Sequence, residues 1–261
     1  LLIDSADYSF GGTFGGRALG SFGDFSILNF QEGKAIPIGG GMALSSRSGV
    51  LPSVRPAYWY EGSKSLLRST AYAVLIRPGP YGLISRLLRC LGVEKKRLSM
   101  EDTIRRTENE YDFIAPAATV LTEISGFQAA LGLRLLQRLL VEMECRRANA
   151  ARLERLLADI PGCRRVVRHP RLESLNPIRY PVLIDGGRRD AVWRRLAAAG
   201  FEASPMYVEH GMQVDVAQFP GAARVCAELL TLPCHAFMGP ADIDRLATEL
   251  RDSLDLGRYV P

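Results

Sequence analysis

The stretch Asp4–Gly41, DSADYSFGGTFGGRALGSFGDFSILNFQEGKAIPIGGG, holds ten of the chain's 25 glycines, together with an acid at its start and a lysine near its end. Leu1 to Asp4 reads as the tail of a buried, parallel strand, because continuous apolar residues ending on a polar tip mark strands covered on both faces. In open α/β sheets, functional groups gather at such carboxyl ends. The Gly-Gly and Ser-Phe-Gly pieces between Gly11 and Gly23 describe a backbone that turns tightly or approaches another group closely. Phe25–Phe30 (FSILNF) is a second strand, and Lys34 follows it in a glycine-flanked turn. Gly39–Ser46 adds another tight approach and a short strand. An acid, a glycine-rich loop, a strand and a lysine in this order suit a charged cofactor.

The chemistry of the individual residues gives that cofactor a class. A lysine held past a strand end is desolvated, and its amine becomes a nucleophile toward an aldehyde. Asp4, at a strand end beside it, can pair with a protonated pyridine nitrogen and keep that ring an electron sink. Asn29 sits five residues before Lys34, where its amide can donate to a phosphate oxygen. Each also has a plainer reading: a surface lysine, a helix cap or structural salt bridge, and a strand-end amide bonded to backbone. The glycine pairs match neither GxxxxGK[ST] nor a helix-opening GxGxxG, so nucleotide-binding loops gain no support.

Outside this stretch the chain divides by texture. Its 261 residues, 47% hydrophobic and 23% charged, can bury a sizeable core as one large domain or two ordinary ones. Residues 50–116 read as a Pro- and aromatic-rich helical insertion: Pro52, Pro56, Pro78 and Pro80 punctuate a helical hairpin, and a charged run follows from Glu94 to Glu110. Residues 117–160 contain a spine helix that begins at Ser125, with Leu136, Leu140, Met143, Ala150, Leu153 and Leu157 on a 3.6 period until Pro161-Gly162. Residues 161–261 read as a small α/β domain. It contains a strand at Arg179–Ile184, a helix at Arg188–Ala199 closed by Gly200, a short strand at Phe201–Pro205, and a last helix from Asp242 to Leu254 with Pro240 ahead of it.

Composition narrows the setting. The charge of +5 is spread over helical faces, which fits a solvated surface rather than a nucleic-acid partner. Arg134, Arg138, Arg146, Arg147, Arg152 and Arg155 alternate with Glu142, Glu144 and Glu154, the pattern of i,i+4 pairing. Five widely spaced cysteines form no CxxC or Cys/His set, so neither a disulfide framework nor a metal site is expected, and a reduced cytoplasmic compartment is. The most apolar region, Tyr72–Leu91, contains Arg77, Arg86 and Arg89 and two prolines, so no membrane span is expected.

The run FGDFSILNFQEGKAIPIGGGMAL resembles the signature of the DegT/DnrJ/StrS family of pyridoxal-phosphate aminotransferases, in which a Gly-Asp, a strand and a lysine recur in this spacing. IDSADYSFGG resembles the family's preceding Asp-x-Ala-Gln segment, and SGFQAALGLRLLQRL its Ser-x-x-Gln-Ala-Ala-Leu-Gly helix. FEASPMYVEH and LTLPCHAFMGPADIDRL resemble two later blocks, giving agreement in order over nearly the whole chain. The resemblance implies the C-terminal part of a fold type I enzyme: residues 1–49 of a large, mostly parallel-sheet cofactor domain, then the small α/β domain. It implies a homodimer and amino transfer from glutamate to a keto sugar carried on a nucleotide. By matched position Lys34 carries pyridoxal 5'-phosphate as a Schiff base and shuttles the proton, and Asp4 pairs with the ring nitrogen. Asn29 takes the phosphate-binding serine's place, and Asp7 the place of a glutamine beside the cofactor's phenolic oxygen, where two anions would repel. Tyr207 and His210 fall in the block that borders the substrate.

The chain also departs from the pattern. Leu121 and Glu123 stand where the family carries Asn and Arg, and the family's first half, with its Gly-Thr turn and ring-stacking aromatic, would lie before Leu1. Lys34 argues against the dehydratase branch, which has histidine at that position. The alternative expectation is a non-catalytic remnant or accessory subunit that keeps the fold and binds no cofactor.

Overall fold

The computed structural model describes residues 1–261 except 32, 52, 59–61, 91–121, 167–174, 206–217 and 257–261. It divides into two compact units, one made of 1–74, 115–148 and 168–178, the other of 75–114, 149–167 and 179–261.

In the first unit β1 (Ile3–Ser5) runs parallel to β4 (Phe25–Asn29), which pairs antiparallel with β5 (Met42–Ser46). The register sets Asp4 opposite Ser26 and Asn29 opposite Met42. Between β1 and β4 lies a small hairpin of β2 (Thr13–Phe14) and β3 (Arg17–Ala18). Its two-residue loop is Gly15-Gly16, with φ of 55° and 74°, the left-handed pair that such a tight turn demands. Leu1, Leu2 and Ile3, expected to be buried, are exposed, Leu1 at 95%. Leu1 and Leu2 lie ahead of β1, and the face of the sheet that carries Ile3 is left uncovered by the described residues.

Two helices follow in sequence, α1 (Ser63–Leu75) and α2 (Pro78–Cys90). α1 falls in the first unit and α2 in the second, apart from residue 75 at the division, so the helical pair read from 50–116 is shared between them. The long helix α3 (Gly126–Leu156) starts one residue after the expected Ser125. Its opening is a capping box: Ser125 Oγ accepts the Gln128 backbone N–H at 3.4 Å, while Gln128 Oε1 accepts the Ser125 N–H at 3.1 Å. Leu139 and Met143 of α3 bury Ala35, Ile36 and Ile38, the residues just after Lys34, with Phe10, Phe30 and Leu135 around them. Gly11, where this loop meets Met143 of α3, has φ of 87°, a left-handed conformation that favours glycine.

The second unit is built on an antiparallel sheet of β6 (Cys163–Arg165), β7 (Arg179–Ile184) and β8 (Leu229–Pro233). β7 alternates buried and half-buried residues, and all of β8 is buried. Helices α4 (Arg189–Ala198), α5 (Pro220–Glu228) and α6 (Pro240–Leu256) complete it, and Pro240 is indeed the first helical residue. Leu153, Leu157, Val182, Ile184, Leu196, Leu230, Leu232, Ile243, Leu246 and Leu250 form one continuous core. Ser85 of α2 donates to the Ala197 carbonyl at 2.8 Å.

Local expectations are corrected in two places, and two elements carry no signal in the sequence. Phe201–Pro205 is not a strand: only Ser204 bridges to Thr231, since Arg179 takes the Glu202 carbonyl with its guanidinium. β6 and α5 went unread, because Cys-Arg-Arg carries no apolar alternation and α5 buries none of its residues. Along α3, Glu142 and Arg146 pair at i,i+4, but Arg152 reaches Asp244 with two contacts of 2.6 Å and Glu154 takes Arg165. Tertiary partners outcompete the weak helical pairs.

Candidate functional site

β1 and β4 set the acid end of the site. Asp4 Oδ2 accepts the backbone N–H groups of Gly20 at 3.0 Å and Phe22 at 2.9 Å. Ser26, its register partner, donates to the Gly20 carbonyl, so one pair of facing side chains holds both sides of the same glycine. Gly23 completes this turn, where a β-carbon would sit 2.7 Å from the Asp4 nitrogen. The second carboxylate oxygen of Asp4 accepts no hydrogen bond among the described residues and is available to one further donor.

The lysine end is set by the turn after β4. Gly33 has φ of 75°, and the Lys34 N–H donates to Gln31 O at 3.3 Å. The side chain is buried, 9% exposed, with Nζ 3.7 Å from Asp7 Oδ2 and 3.4 Å from the centre of the Tyr8 ring. Burial pushes the Lys34 amine below the ordinary lysine range, while the Asp7 carboxylate opposes that fall. Asp7 is itself held: its Oδ1 accepts the Asn29 backbone N–H at 3.0 Å.

Asn29 is at the end of β4, as the sequence suggests, but its amide folds back. Its Oδ1 accepts the Gln31 N–H at 2.8 Å and its Nδ2 lies 3.4 Å from Gln31 Oε1. The structure therefore brings Lys34, Asp7 and the Asn29 backbone together, and ties Asp4 to the Gly20–Phe22 loop. Tyr207 and His210 lie outside the described residues. Sequence reasoning missed Tyr8 and Gln128. Gln128 Nε2 donates to the Ile38 carbonyl at 3.2 Å, fixing the segment that follows Lys34. Tyr8 gave one signal, an aromatic next to the unusual Asp7; Gln128 gave a clearer one, the S-x-x-Q spacing of a capping box.

The arrangement supplies a buried amine that loses its proton more readily than a surface lysine, next to a fixed carboxylate, and a second carboxylate with an open oxygen. Among the described residues no cluster of three or more His, Cys, Asp or Glu is placed to hold a metal, and no helix is long and apolar enough to cross a membrane. No disulfide joins any of the five cysteines, all of which are among the described residues.

Comparison with solved structures places this geometry in a known fold. The chain is similar to the aminotransferase TlmJ from Streptoalloteichus hindustanus, at 21% identity and a TM-score of 0.60, covering 95% of this chain and 57% of that one. It is similar to Spr1654 from Streptococcus pneumoniae, described as a sugar aminotransferase and solved in PLP, PMP and apo forms. The PLP form has 17% identity and a TM-score of 0.64, covering 97% of this chain and 57% of that one. DesI, solved in the presence of its TDP-sugar product, has 23% identity and a TM-score of 0.63, with coverage of 98% and 56%. The chain thus spans little more than half the length of these proteins, and shares with them the fold type I architecture. A search of curated proteins finds no match. The profile of the DegT/DnrJ/EryC1/StrS aminotransferases matches residues 82–251, more than half of the sequence and downstream of Asp4 and Lys34. On that match, the chain belongs to the DegT/DnrJ/EryC1/StrS aminotransferase family.

Proposed function

We propose that this chain carries the lysine half of a pyridoxal-phosphate-dependent aminotransferase that acts on a keto sugar nucleotide, with glutamate as amino donor. The observation that carries the reading is the buried Lys34 amine, 9% exposed, in a chain of this family. When bound, pyridoxal phosphate supplies an aldehyde for a lysine amine and a ring that takes up an electron pair. Lys34 fits the aldehyde because burial favours its neutral form. Asp4 fits the ring nitrogen: Gly20 and Phe22 fix one oxygen and leave the other to take a donor. The phosphate finds less, since the Asn29 amide must first leave Gln31.

In this reading Lys34 holds the cofactor and then moves a proton at its Nζ. Asp4 orients the ring, Asn29 contributes to the phosphate, and Asp7 lies beside the cofactor as the lysine's counter-ion. Tyr207 and His210 contact the substrate. A homodimer in the cytoplasm, with residues 1–49 as part of the cofactor domain and 161–261 as the substrate-side domain, completes the proposal.

The folded-back Asn29 amide favours a second reading, an accessory subunit of this fold without cofactor. Titration with pyridoxal phosphate separates the two. The first predicts a visible absorbance band and, after borohydride reduction, a pyridoxyl adduct on Lys34 by peptide mass spectrometry. Both vanish in Lys34→Ala. No adduct at Lys34, even with the complementary half of the enzyme fold supplied, sinks the first reading.

A further inference from the structure

We propose that Asp7 is the positioning residue of Lys34: with the Tyr8 ring it cages the lysine head as an ammonium and sets the pH at which the amine becomes a nucleophile. The inference deepens the proposed function, since it treats Lys34 as the reactive amine. It rests on three contacts. Asn29 N–H fixes Asp7 Oδ1 at 3.0 Å; Asp7 Oδ2 then faces Lys34 Nζ at 3.7 Å; the Tyr8 ring centre lies 3.4 Å from the same Nζ. A carboxylate at ion-pair distance and an aromatic face both stabilise a cation over a neutral amine. The two act together against the burial that drives the proton off.

The identity of residue 7 decides the outcome. An amide there could accept a hydrogen bond from Nζ but would carry no charge, so the amine would lose its proton at lower pH. An aspartate retains the proton, and β4 holds that aspartate in place through its own backbone rather than through another charge. Among the described residues, Asp7 is the charged group that faces Nζ and Tyr8 the aromatic one. Asp7 thus acts through Lys34 without having to touch a ligand.

The test follows the Lys34 amine directly. The full chain, without added cofactor, is pulsed with acetic anhydride across a pH series, and acetylation of Lys34 is read by peptide mass spectrometry. Asp7→Asn and Asp7→Gln are expected to move the midpoint about one pH unit down, giving about tenfold more labelling at pH values below it, as for a charge removed at this range. Tyr8→Leu moves it the same way by less, and Tyr8→Phe leaves it in place. Asp7→Glu retains the charge and stays near the wild-type midpoint, which also controls for folding. If Asp7→Asn superimposes on the wild type, or moves together with Asp7→Glu, the proposal is overturned. A chain that shows the shift but takes up no pyridoxal phosphate sinks the cofactor reading and leaves this one standing. A chain that takes it up without the shift does the reverse.

Discussion

The side-chain amide of Gln128 donates to the carbonyl oxygen of Ile38 at 3.2 Å, tying the first turn of α3 to the chain four residues beyond Lys34. The same side chain closes the Ser125 capping box, so one buried residue starts the long helix and fixes the segment behind Lys34. Gly62 approaches it so closely that a β-carbon there would lie 2.3 Å from Gln128 Oε1. Shape and hydrogen bonding at this point are both specified.

Replacing Gln128 by Leu removes both functions while conserving much of the volume. It leaves the Ile38 carbonyl and Ser125 N–H without this partner, and we expect a loss of about 1–3 kcal/mol, the desolvation cost of unpaired buried groups. Urea denaturation measures it. An unchanged midpoint would show that the capping box contributes nothing.

The buried pair Arg179–Glu202 should respond differently to single and double replacement. Both side chains are less than a tenth exposed, and the guanidinium also reaches Thr231 Oγ1 at 2.7 Å. Arg179→Met strands a buried carboxylate and should cost about 3–5 kcal/mol. The double variant Arg179→Met, Glu202→Leu should recover most of that loss. Thermal melts of the three proteins test it, and a double variant as weak as the single one contradicts it.

The pH dependence of stability carries the signature of Lys34. Burial lowers its proton affinity in the folded state below the ordinary lysine range, so the unfolded chain binds that proton more tightly. The cost is fully present below the lowered folded value, fades as pH rises from there, and is gone above the unfolded value of about 10.4, where neither state is charged. Each tenfold difference in proton affinity corresponds to about 1.4 kcal/mol. Wild-type stability relative to Lys34→Met should therefore rise between pH 7 and pH 10.5 in urea titrations. A flat difference would mean the amine is as hydrated folded as unfolded.

Cysteine reactivity reports the core of the second unit. The Cys163 thiol is buried and pushed up to about 12, chiefly by desolvation and then by Asp185, and Cys234 is buried as well. Cys90 and Cys145 are exposed. Iodoacetamide at pH 8 should alkylate Cys90 and Cys145 first, at least about tenfold faster than Cys163, with Cys163 and Cys234 labelling only on denaturation. Mass spectrometry of a time course distinguishes this order from uniform labelling.

Local features can be read from the order of residues alone. The acid, the glycine loops, the strand and the lysine of Asp4–Lys34 were legible because turn glycines and apolar strands leave marks in neighbouring residues. So were β7, α4, α3 and the Pro240 start of α6, whose periods of two and 3.6 record which face is covered. Family membership was legible too, in ordered blocks of residues. Tertiary structure alone decided the rest. Exposure of Leu1–Ile3 depends on what packs over that face of the sheet, which no pattern within the strand encodes. Arg152 chose Asp244, 92 residues away, over its own helix, and α5 formed without any buried residue. Most directly, Asp7 read as an anion that would repel a cofactor, whereas the fold places it against Lys34 and lets the Asn29 backbone hold it there. A carboxylate's effect depends on the charge it faces, and that charge lies 27 residues away, brought near by the pairing of β1 with β4 and the turn that follows.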